Sequence, residues 1–263
     1  MPTPTLPLEV ASTDLQRYTD RVYGFQVTIP TDWIRDSSDE PLDLYHPTTD
    51  TRVVLWKQVG GSTTSSQPLE QVGQDYTLVL RDVPGFVKFL HNGIVEQRGV
   101  RWYDLQYRTK NPFTDEERTV WLGLRIIGGY IGVFAGDGLA DTWDEILPDI
   151  YTIIATFDPP DPKTLTIDYQ AESEFDVITR RYSIFYPNWE IEYECIPKGT
   201  GPGRTVTSQV GLWSNVATCA PGATVFSGLS GTFGTPDLLL ELRLANVEAI
   251  EVQLREVLGS HSQ

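Results

Sequence analysis

The residues of this 263-residue chain that are able to do chemistry are few and far apart in sequence. Its three histidines are His46, His91 and His261. His46 precedes Pro47 and His91 precedes Asn92-Gly93, so both lie beside turn signals and no nucleophile is close to them in sequence. A histidine general base has to reach the proton that it removes. The sequence therefore predicts surface histidines and no catalytic residue.

Two glycine-containing segments match known functional motifs only in part, one a dinucleotide-binding loop and the other a nucleophile elbow. Gly136-Asp137-Gly138 lies between a predicted strand and a predicted helix, where a dinucleotide-binding loop would begin, but Asp141 replaces its third glycine. Carboxylates there would repel a pyrophosphate. The segment 228–232, Gly-Leu-Ser-Gly-Thr, lacks the final glycine of a nucleophile elbow. We expect a turn and a helix start at 136–138, and no cofactor.

Acidic side chains are concentrated at the start of the same predicted helix. Asp137, Asp141, Asp144 and Glu145 offer oxygen ligands for calcium, but they lack the alternating spacing of a calcium loop. We expect a solvated helix face and assign no metal ligand, with a bound cation as the alternative. A carboxylate pair for glycoside hydrolysis also stays open in a chain with 36 acidic residues.

The two cysteines, Cys195 and Cys219, both lie in the C-terminal part, away from the histidines. A metal site would need more ligands nearby, so the pair predicts a disulfide, with two buried thiols as the alternative. Closing this loop would stabilise the fold by about 3 kcal/mol in the chain-entropy model. A disulfide also favours an oxidising compartment.

Charge and hydropathy restrict the partners. The formal charge of −16 disfavours nucleic acid and anionic membranes. No apolar run approaches the ~18 residues of a membrane helix. The start, Met1-Pro2-Thr3-Pro4-Thr5-Leu6-Pro7, is typical of a spacer left when a signal or lipid-anchor segment is trimmed. We therefore expect an extracytoplasmic protein, periplasmic or at the cell surface, with membrane contact only through such an anchor.

A proline-rich stretch, Asp158-Pro159-Pro160-Asp161-Pro162, divides the chain into two parts of different character. We predict an N-terminal spacer at 1–17, a mixed α and β domain at 18–158, a linker at 159–163 and a mainly β domain at 164–263.

Hydrophobic periodicity gives the elements of the first domain. It predicts strands at 24–30, 52–58, 100–108, 118–127 and 130–135, a helix starting near Pro68, and an amphipathic helix from Leu139 to Phe157. Asp141, Asp144, Glu145 and Asp149 form the polar face of this last helix.

The second domain has short apolar runs separated by turn signals every 8–12 residues, which is typical of a small β-sandwich. The predicted strands are 165–169, 182–186, 190–194, 205–213, 224–227, 238–244 and 249–254.

The run Tyr23-Gly24-Phe25-Gln26-Val27-Thr28-Ile29-Pro30-Thr31-Asp32-Trp33 resembles the Tyr-Gly-Phe…Pro-x-x-Trp start of the PsbP-like family. The closing Tyr151-Thr152-Ile153-Ile154-Ala155-Thr156-Phe157 is similar to the end of that family's last helix. The family includes the extrinsic photosystem II subunit PsbP, a Ran-binding transport factor and many bacterial lipoproteins. The resemblance covers about residues 18 to 158. It implies an α/β/α sandwich around an antiparallel sheet, and a binding or assembly role without a shared catalytic set.

Seven tryptophans are the remaining feature. Those of the first domain lie on predicted strands or on the helix face, where core packing is expected. Trp189 and Trp213 belong to the predicted sandwich. We expect them in the core; exposed, they would contact a sugar or a neighbouring protein.

These observations favour a non-enzymatic extracytoplasmic binding or structural subunit, an accessory component of a larger assembly whose partner is another protein or a second copy. The first alternative is a carbohydrate-binding protein that uses Trp189 or Trp213. The second is a hydrolase with an acid pair.

Overall fold

The computed structural model describes residues 14–36, 42–57, 67–199, 203–210, 213–220, 224–229 and 237–259. They are mostly β-strand, in antiparallel sheets, with two helices. The described residues up to Pro160 form one compact unit together with Gly259, and Asp161–Leu258 form a second. We call them the N-terminal and C-terminal units and describe each by itself.

The N-terminal unit is built on a seven-stranded antiparallel sheet with the strand order β3-β4-β5-β9-β8-β7-β6, beside a two-stranded sheet of β1 and β2. Its elements are β1 (Leu15–Thr19), β2 (Gln26–Pro30), β3 (Ile34–Arg35), β4 (Leu42–His46), β5 (Thr51–Lys57), α1 (Leu69–Leu80), β6 (Phe86–Gln97), β7 (Val100–Lys110), β8 (Glu117–Ile127), β9 (Tyr130–Leu139) and α2 (Trp143–Thr156).

A helix covers each face of this sheet. Alternate residues of a strand point to opposite faces, and in β7 Tyr103 packs with Leu69 and Val72 of α1. A Cβ on Gly73 of α1 would lie 2.3 Å from the Tyr103 ring, so the helix backbone rests directly on that ring. The next residue, Asp104, bonds Tyr151 of α2 on the opposite face. The layers are therefore helix, sheet and helix.

The N-terminal boundary of the unit differs from the prediction. Residues 15–17 were assigned to the spacer, but β1 pairs antiparallel with β2, with Leu15 opposite Pro30 and Thr19 opposite Gln26. Asp20 ends this strand and accepts hydrogen bonds from the backbone N–H of Val22 (2.9 Å) and of Tyr23 (2.7 Å). The buried carboxylate thus fixes the turn that joins the two strands.

The predicted turn at Gly136-Asp137-Gly138 is wrong, since these residues continue β9. The strand pairs there with β5, Gly136 opposite Val53. A Cβ on Gly138 would lie 2.5 Å from Thr51 Oγ1, so this glycine serves close strand approach. For the same reason α2 begins at Trp143, later than the predicted Leu139.

The edge strand β6 was not predicted. It pairs with β7, and its register shifts between Phe86 and Lys88 and again between Phe89 and His91. These shifts are β-bulges, with Val87 and Leu90 as the extra residues. Asn92-Gly93, taken as a turn, lies within the strand.

The C-terminal unit is a pair of four-stranded antiparallel sheets with the orders β10-β17-β12-β15 and β11-β16-β13-β14. Its strands are β10 (Thr164–Gln170), β11 (Phe175–Ser183), β12 (Asn188–Pro197), β13 (Thr205–Val210), β14 (Trp213–Thr218), β15 (Thr224–Leu229), β16 (Asp237–Ala245) and β17 (Val247–Val257). Ile191 and Val252 of the first sheet and Leu242 of the second belong to one hydrophobic core. Two sheets that share a core make a β-sandwich.

One predicted strand of this unit, 182–186, is misplaced. β11 ends at Ser183, and the residues that follow form a buried loop. The buried carboxylate of Glu256 accepts hydrogen bonds from the N–H groups of Phe185 and Tyr186 in that loop and from Lys163 N (2.8 Å). This carboxylate satisfies backbone donors that a strand would have paired with a neighbour.

Cys195 and Cys219 form a disulfide with their Cα atoms 5.9 Å apart. Cys195 lies in β12 of one sheet, and Cys219 follows β14 of the other, where its N–H donates to the carbonyl of Arg204 (2.9 Å). Both side chains are buried. The predicted pairing is therefore present, and it joins the two layers of the sandwich.

Candidate functional site

The most unusual group of the N-terminal unit is the carboxylate of Asp104, which is fully buried in the middle of β7. In the neighbouring strands it lies opposite Gly93 of β6 and Gly123 of β8. A Cβ on Gly123 would be 2.5 Å from Trp121 Cζ2 and 2.7 Å from Ile154 Cδ1. The missing side chain of Gly123 thus gives room for the groups that surround the carboxylate.

Four side chains lie within 2.8 Å of this carboxylate. Trp121 Nε1 donates to Oδ1 at 2.6 Å. Oδ2 accepts from Gln106 Nε2 at 2.7 Å and from the Tyr151 hydroxyl at 2.8 Å. His91 Nδ1 lies 2.8 Å from the same oxygen. We call these five residues the Asp104 cluster.

Further tryptophans enclose the cluster. The Trp102 ring meets the Tyr151 ring edge-on, with centroids 5.3 Å apart. Trp143 Nε1 donates to Gln106 Oε1 at 3.1 Å. Gln106 therefore has one end on the carboxylate and the other on α2, so its orientation is fixed by both partners. A buried carboxylate is tolerable only when donors of this kind replace its water.

The charge of the cluster alters two neighbouring groups. The pKa of Tyr151 is raised, first by burial and then by the negative charge of Asp104, so the phenol stays a hydrogen-bond donor. The pKa of His91 is also raised, chiefly by its hydrogen bond to Asp104, which outweighs the effect of burial. The imidazolium form is thus favoured beside the carboxylate.

His91 connects the cluster to the edge of the sheet. Its side chain is 25% exposed, and among the described residues no hydrogen bond to Nε2 is formed. A carboxylate that holds one imidazole nitrogen and leaves the other open is the base-and-orienting pair of a catalytic triad. A nucleophile would complete such a triad. Across the described part of the chain, no group of three or more His, Cys, Asp or Glu residues is able to hold a metal ion. The arrangement as it stands positions side chains and binds a proton.

The prediction of surface histidines is wrong for His46, whereas His91 is half-buried at the edge of the sheet. His46 is buried at the end of β4, where Nδ1 lies 2.7 Å from Thr49 Oγ1 and the ring packs on Trp33. His91 belongs to β6 and to the Asp104 cluster. Burial was not expected because each residue adjoins a turn signal. His261 lies outside the described residues.

The predicted acidic face of the last helix is only partly correct. Asp141, Asp144 and Glu145 are exposed as expected. Asp149 is buried, and Trp33 Nε1 lies 3.4 Å from its Oδ2. Asp137 is in β9, where Arg118 Nε contacts its carboxylate at 2.8 Å. These carboxylates therefore do not converge on one cation position.

Trp189 and Trp213 of the sandwich were the alternative candidates for contact with a sugar or a protein partner. Trp189 is 1% exposed in the core, so the alternative role as a sugar or partner contact is wrong for this residue. Trp213 lies in β14, and its side chain is not among those that the structure describes.

The incomplete nucleophile-elbow motif at 228–232 is described only in part. Residues 228 and 229 belong to β15, and residues 230–232 lie outside the described residues.

Sequence reasoning missed Asp104, Gln106 and Tyr151. Asp104 and Gln106 alternate with Tyr103 and Leu105, a pattern that also fits a polar, solvated face. Trp102, on the same face as the two polar residues, is the signal that could have shown that this face is buried.

Neither helix is long and apolar enough, in the part of the chain that the structure describes, to cross a membrane.

No family model and no curated protein matches this chain. Similar solved structures include LpqN, involved in cell envelope biogenesis of Mycobacterium tuberculosis, at 18% identity and a TM-score of 0.40, covering 56% of this chain and 91% of that one. They also include the cyanobacterial PsbP of Synechocystis, at 17% identity and a TM-score of 0.39, covering 59% of this chain and 96% of that one. The similarity concerns the fold alone.

Proposed function

We propose that this chain is a non-enzymatic extracytoplasmic binding or structural subunit, an accessory component of a larger protein assembly. The observation that carries the proposal is the disulfide between Cys195 and Cys219. Disulfides of this kind form and persist in oxidising compartments and are rare in the cytosol. Because both cysteines are buried, the bond belongs to the folded core.

The Asp104 cluster supports a structural role. The carboxylate accepts from Trp121, Gln106 and Tyr151, all three buried, so these groups are occupied with one another. Networks with this degree of satisfaction make a core rigid and specify a single arrangement.

Exposed apolar side chains on α1 support protein binding. Leu78 is 63% exposed and Val79 is 69% exposed, next to each other near the end of the helix. Apolar side chains gathered at a surface are typical of contact sites. The helix packs on the sheet along its whole length, through Leu69, Val72, Tyr76 and Leu80, whereas Leu78 and Val79 stay exposed to solvent.

The compartment is tested by thiol titration of denatured, unreduced protein from its native source. We expect no free sulfhydryl, and a reduced and denatured sample should give two. Two titratable thiols before reduction would remove the support for an extracytoplasmic address.

The partner is tested by placing a photo-crosslinking amino acid at Val79 in the native cell. We expect a discrete higher-mass adduct with a protein. Asp144, exposed on α2 at the opposite face of the sheet, is the control site. An adduct that forms equally at both positions, or at neither, would argue against binding through this end of α1.

A further inference from the structure

The edge strand β11 of the sandwich is long and regular. It pairs with β16 from Phe175 opposite Ala245 to Ser183 opposite Asp237, without a register shift. β11 is the last strand of its sheet, and no strand among the described residues pairs with its other side. Edge strands present N–H and C=O groups to another strand, and proteins usually protect them with bulges, prolines, charged side chains or short length. In β11 the Ser173 hydroxyl bonds both backbone groups of Phe175, and Arg180 Nη1 donates to the carbonyl of Thr179 (3.0 Å).

Exposed apolar side chains lie along this edge. Phe175 is 72% exposed and Val177 is 61% exposed. Since they are two positions apart, both point to the outer face of the sheet. Opposite them in β16 are Ala245 and Arg243, so the outer face beside the edge has little other apolar cover.

Two other edges of the molecule are protected. β6, the edge of the N-terminal sheet, is interrupted by bulges at Val87 and Leu90. β10, an edge of the second sandwich sheet, exposes Thr164, Thr166 and Asp168. β11 has neither a bulge nor a uniformly polar face, so it is less protected than these two strands.

We propose that β11 pairs antiparallel with β11 of a second copy of this chain, about a two-fold axis that passes beside Ile178. In that register Asp176 of each copy lies opposite Arg180 of the other. Phe175 lies opposite Arg181 in the same way, so a guanidinium can cover the aromatic ring. Opposite charges at directly opposed positions stabilise an antiparallel pair, and the two-fold axis supplies each contact twice.

The carboxylate of this charge pair is already held in place. Asp176 accepts hydrogen bonds from Glu172 N (2.7 Å) and from Ser173 Oγ (3.2 Å). These backbone and side-chain hydrogen bonds keep the pKa of Asp176 below its usual range, so the group is charged at neutral pH. Within residues 174–181 the two guanidinium groups of Arg180 and Arg181 balance the carboxylates of Glu174 and Asp176, so this edge is locally neutral in a chain of net charge −16. Two copies can thus meet here without the repulsion that the whole molecule would predict.

This inference rests on the proposed function, of which it names one partner, a second copy. The paired segment, residues 175–181, is short. Its buried area falls below the about 1,200 Å² of a standard interface, so we expect a dissociation constant on the order of 10–100 µM.

Sedimentation equilibrium of the full chain between about 1 µM and 1 mM tests the pairing. We expect a monomer–dimer equilibrium. Val177→Lys, which puts a charge on the exposed edge, should weaken the dimer by about tenfold or more. Val216→Lys is the matched control, since Val216 is 64% exposed on β14, the opposite edge of the same sheet. It should leave the dissociation constant unchanged.

The register has its own test. Arg180→Glu places two acidic side chains opposite each other and should weaken the dimer about tenfold, and high salt should reduce that loss. A monomer at 1 mM, a dimer unaffected by Val177→Lys, or equal weakening by Val216→Lys would overturn the proposal. Circular dichroism of each variant separates lost pairing from lost folding. Failure here leaves the thiol and crosslinking tests unaffected.

Discussion

The two units fill their cores with different chemistry. In the N-terminal unit a carboxylate lies among tryptophans and a tyrosine, and directional hydrogen bonds set the position of each group. In the C-terminal unit the core is mainly aliphatic, and the link between Cys195 and Cys219 joins its two sheets. Aliphatic contacts are adaptable, whereas hydrogen bonds and covalent links allow few alternatives. The comparison shows two ways to obtain a single arrangement, one by polar networks and one by a crosslink.

Removing the central carboxylate should produce the largest effect. Asp104→Ala leaves the donors of Trp121, Gln106 and Tyr151 buried without their acceptor. At about 1–3 kcal/mol for each such group, the free energy of unfolding of the N-terminal unit should fall by about 3–9 kcal/mol. Urea denaturation followed by tryptophan fluorescence measures the loss. Asp144→Ala, exposed on α2, is the control and should change it by less than about 0.5 kcal/mol. Similar small losses in both variants would mean that the cluster does not stabilise the unit.

Breaking the covalent link should come next. The double variant Cys195→Ala with Cys219→Ala should lower the stability of the C-terminal unit by about 3 kcal/mol, because the unfolded chain regains loop entropy. Hydrogen exchange resolved by residue should show the loss in β12 and β17 and not in β7. Reduction of the unaltered protein should give the same pattern. Equal losses of protection in both units would contradict the conclusion that the disulfide stabilises the C-terminal unit alone.

A pH-dependent effect should separate the units further. The pKa of His91 is raised in the folded state. Its interaction with Asp104 therefore stabilises the folded protein fully at pH values below the ordinary histidine pKa of about 6.5. This stabilisation is lost as the pH rises through the folded-state pKa. His91→Gln should therefore cost about 1–2 kcal/mol at pH 5.5 and less at pH 9. Denaturation of both proteins at the two values measures this, and the contribution of His46 cancels in the difference. A cost that grows with pH would contradict the ion pair.

The smallest effect should come from separating the units. Residues 1–160 alone should unfold cooperatively, because compact units with their own cores fold independently. Their stability should be within about 1 kcal/mol of that in the full chain, since the fragment loses the hydrogen bond from Gly259 N to the Gly128 carbonyl. Calorimetry of the two proteins gives the comparison. An insoluble fragment, or one without a cooperative transition, would disprove the independence of the units.

The strands with simple alternation could be predicted from sequence, and those shaped by packing could not. Val27 and Ile29 alternate with polar residues in β2, and that strand was predicted at its observed place. β6 was missed because bulges at Val87 and Leu90 break the period of two and because Asn92-Gly93 is typical of a turn. Gly136 was assigned to a turn because sequence does not show that β5 approaches so closely.

The candidate site depended on information that only the fold supplies. Asp104 and His91 are 13 positions apart and meet because β6 and β7 pair as a hairpin. Tyr151, which lies in α2, is 47 positions after Asp104 in the sequence. The disulfide was predictable because only two cysteines are present and both lie in one unit.

The indole rings around Asp104 make the cluster its own optical reporter. Trp121 donates directly to the carboxylate. Trp102 packs against the ring of Tyr151, whose hydroxyl donates to the same carboxylate. The excited indole has a large dipole, so its emission energy depends on charges fixed a few ångströms away. Gain or loss of the His91 proton changes the charge beside this chromophore. The emission spectrum of the N-terminal unit should therefore follow the ionisation of His91 without any added label.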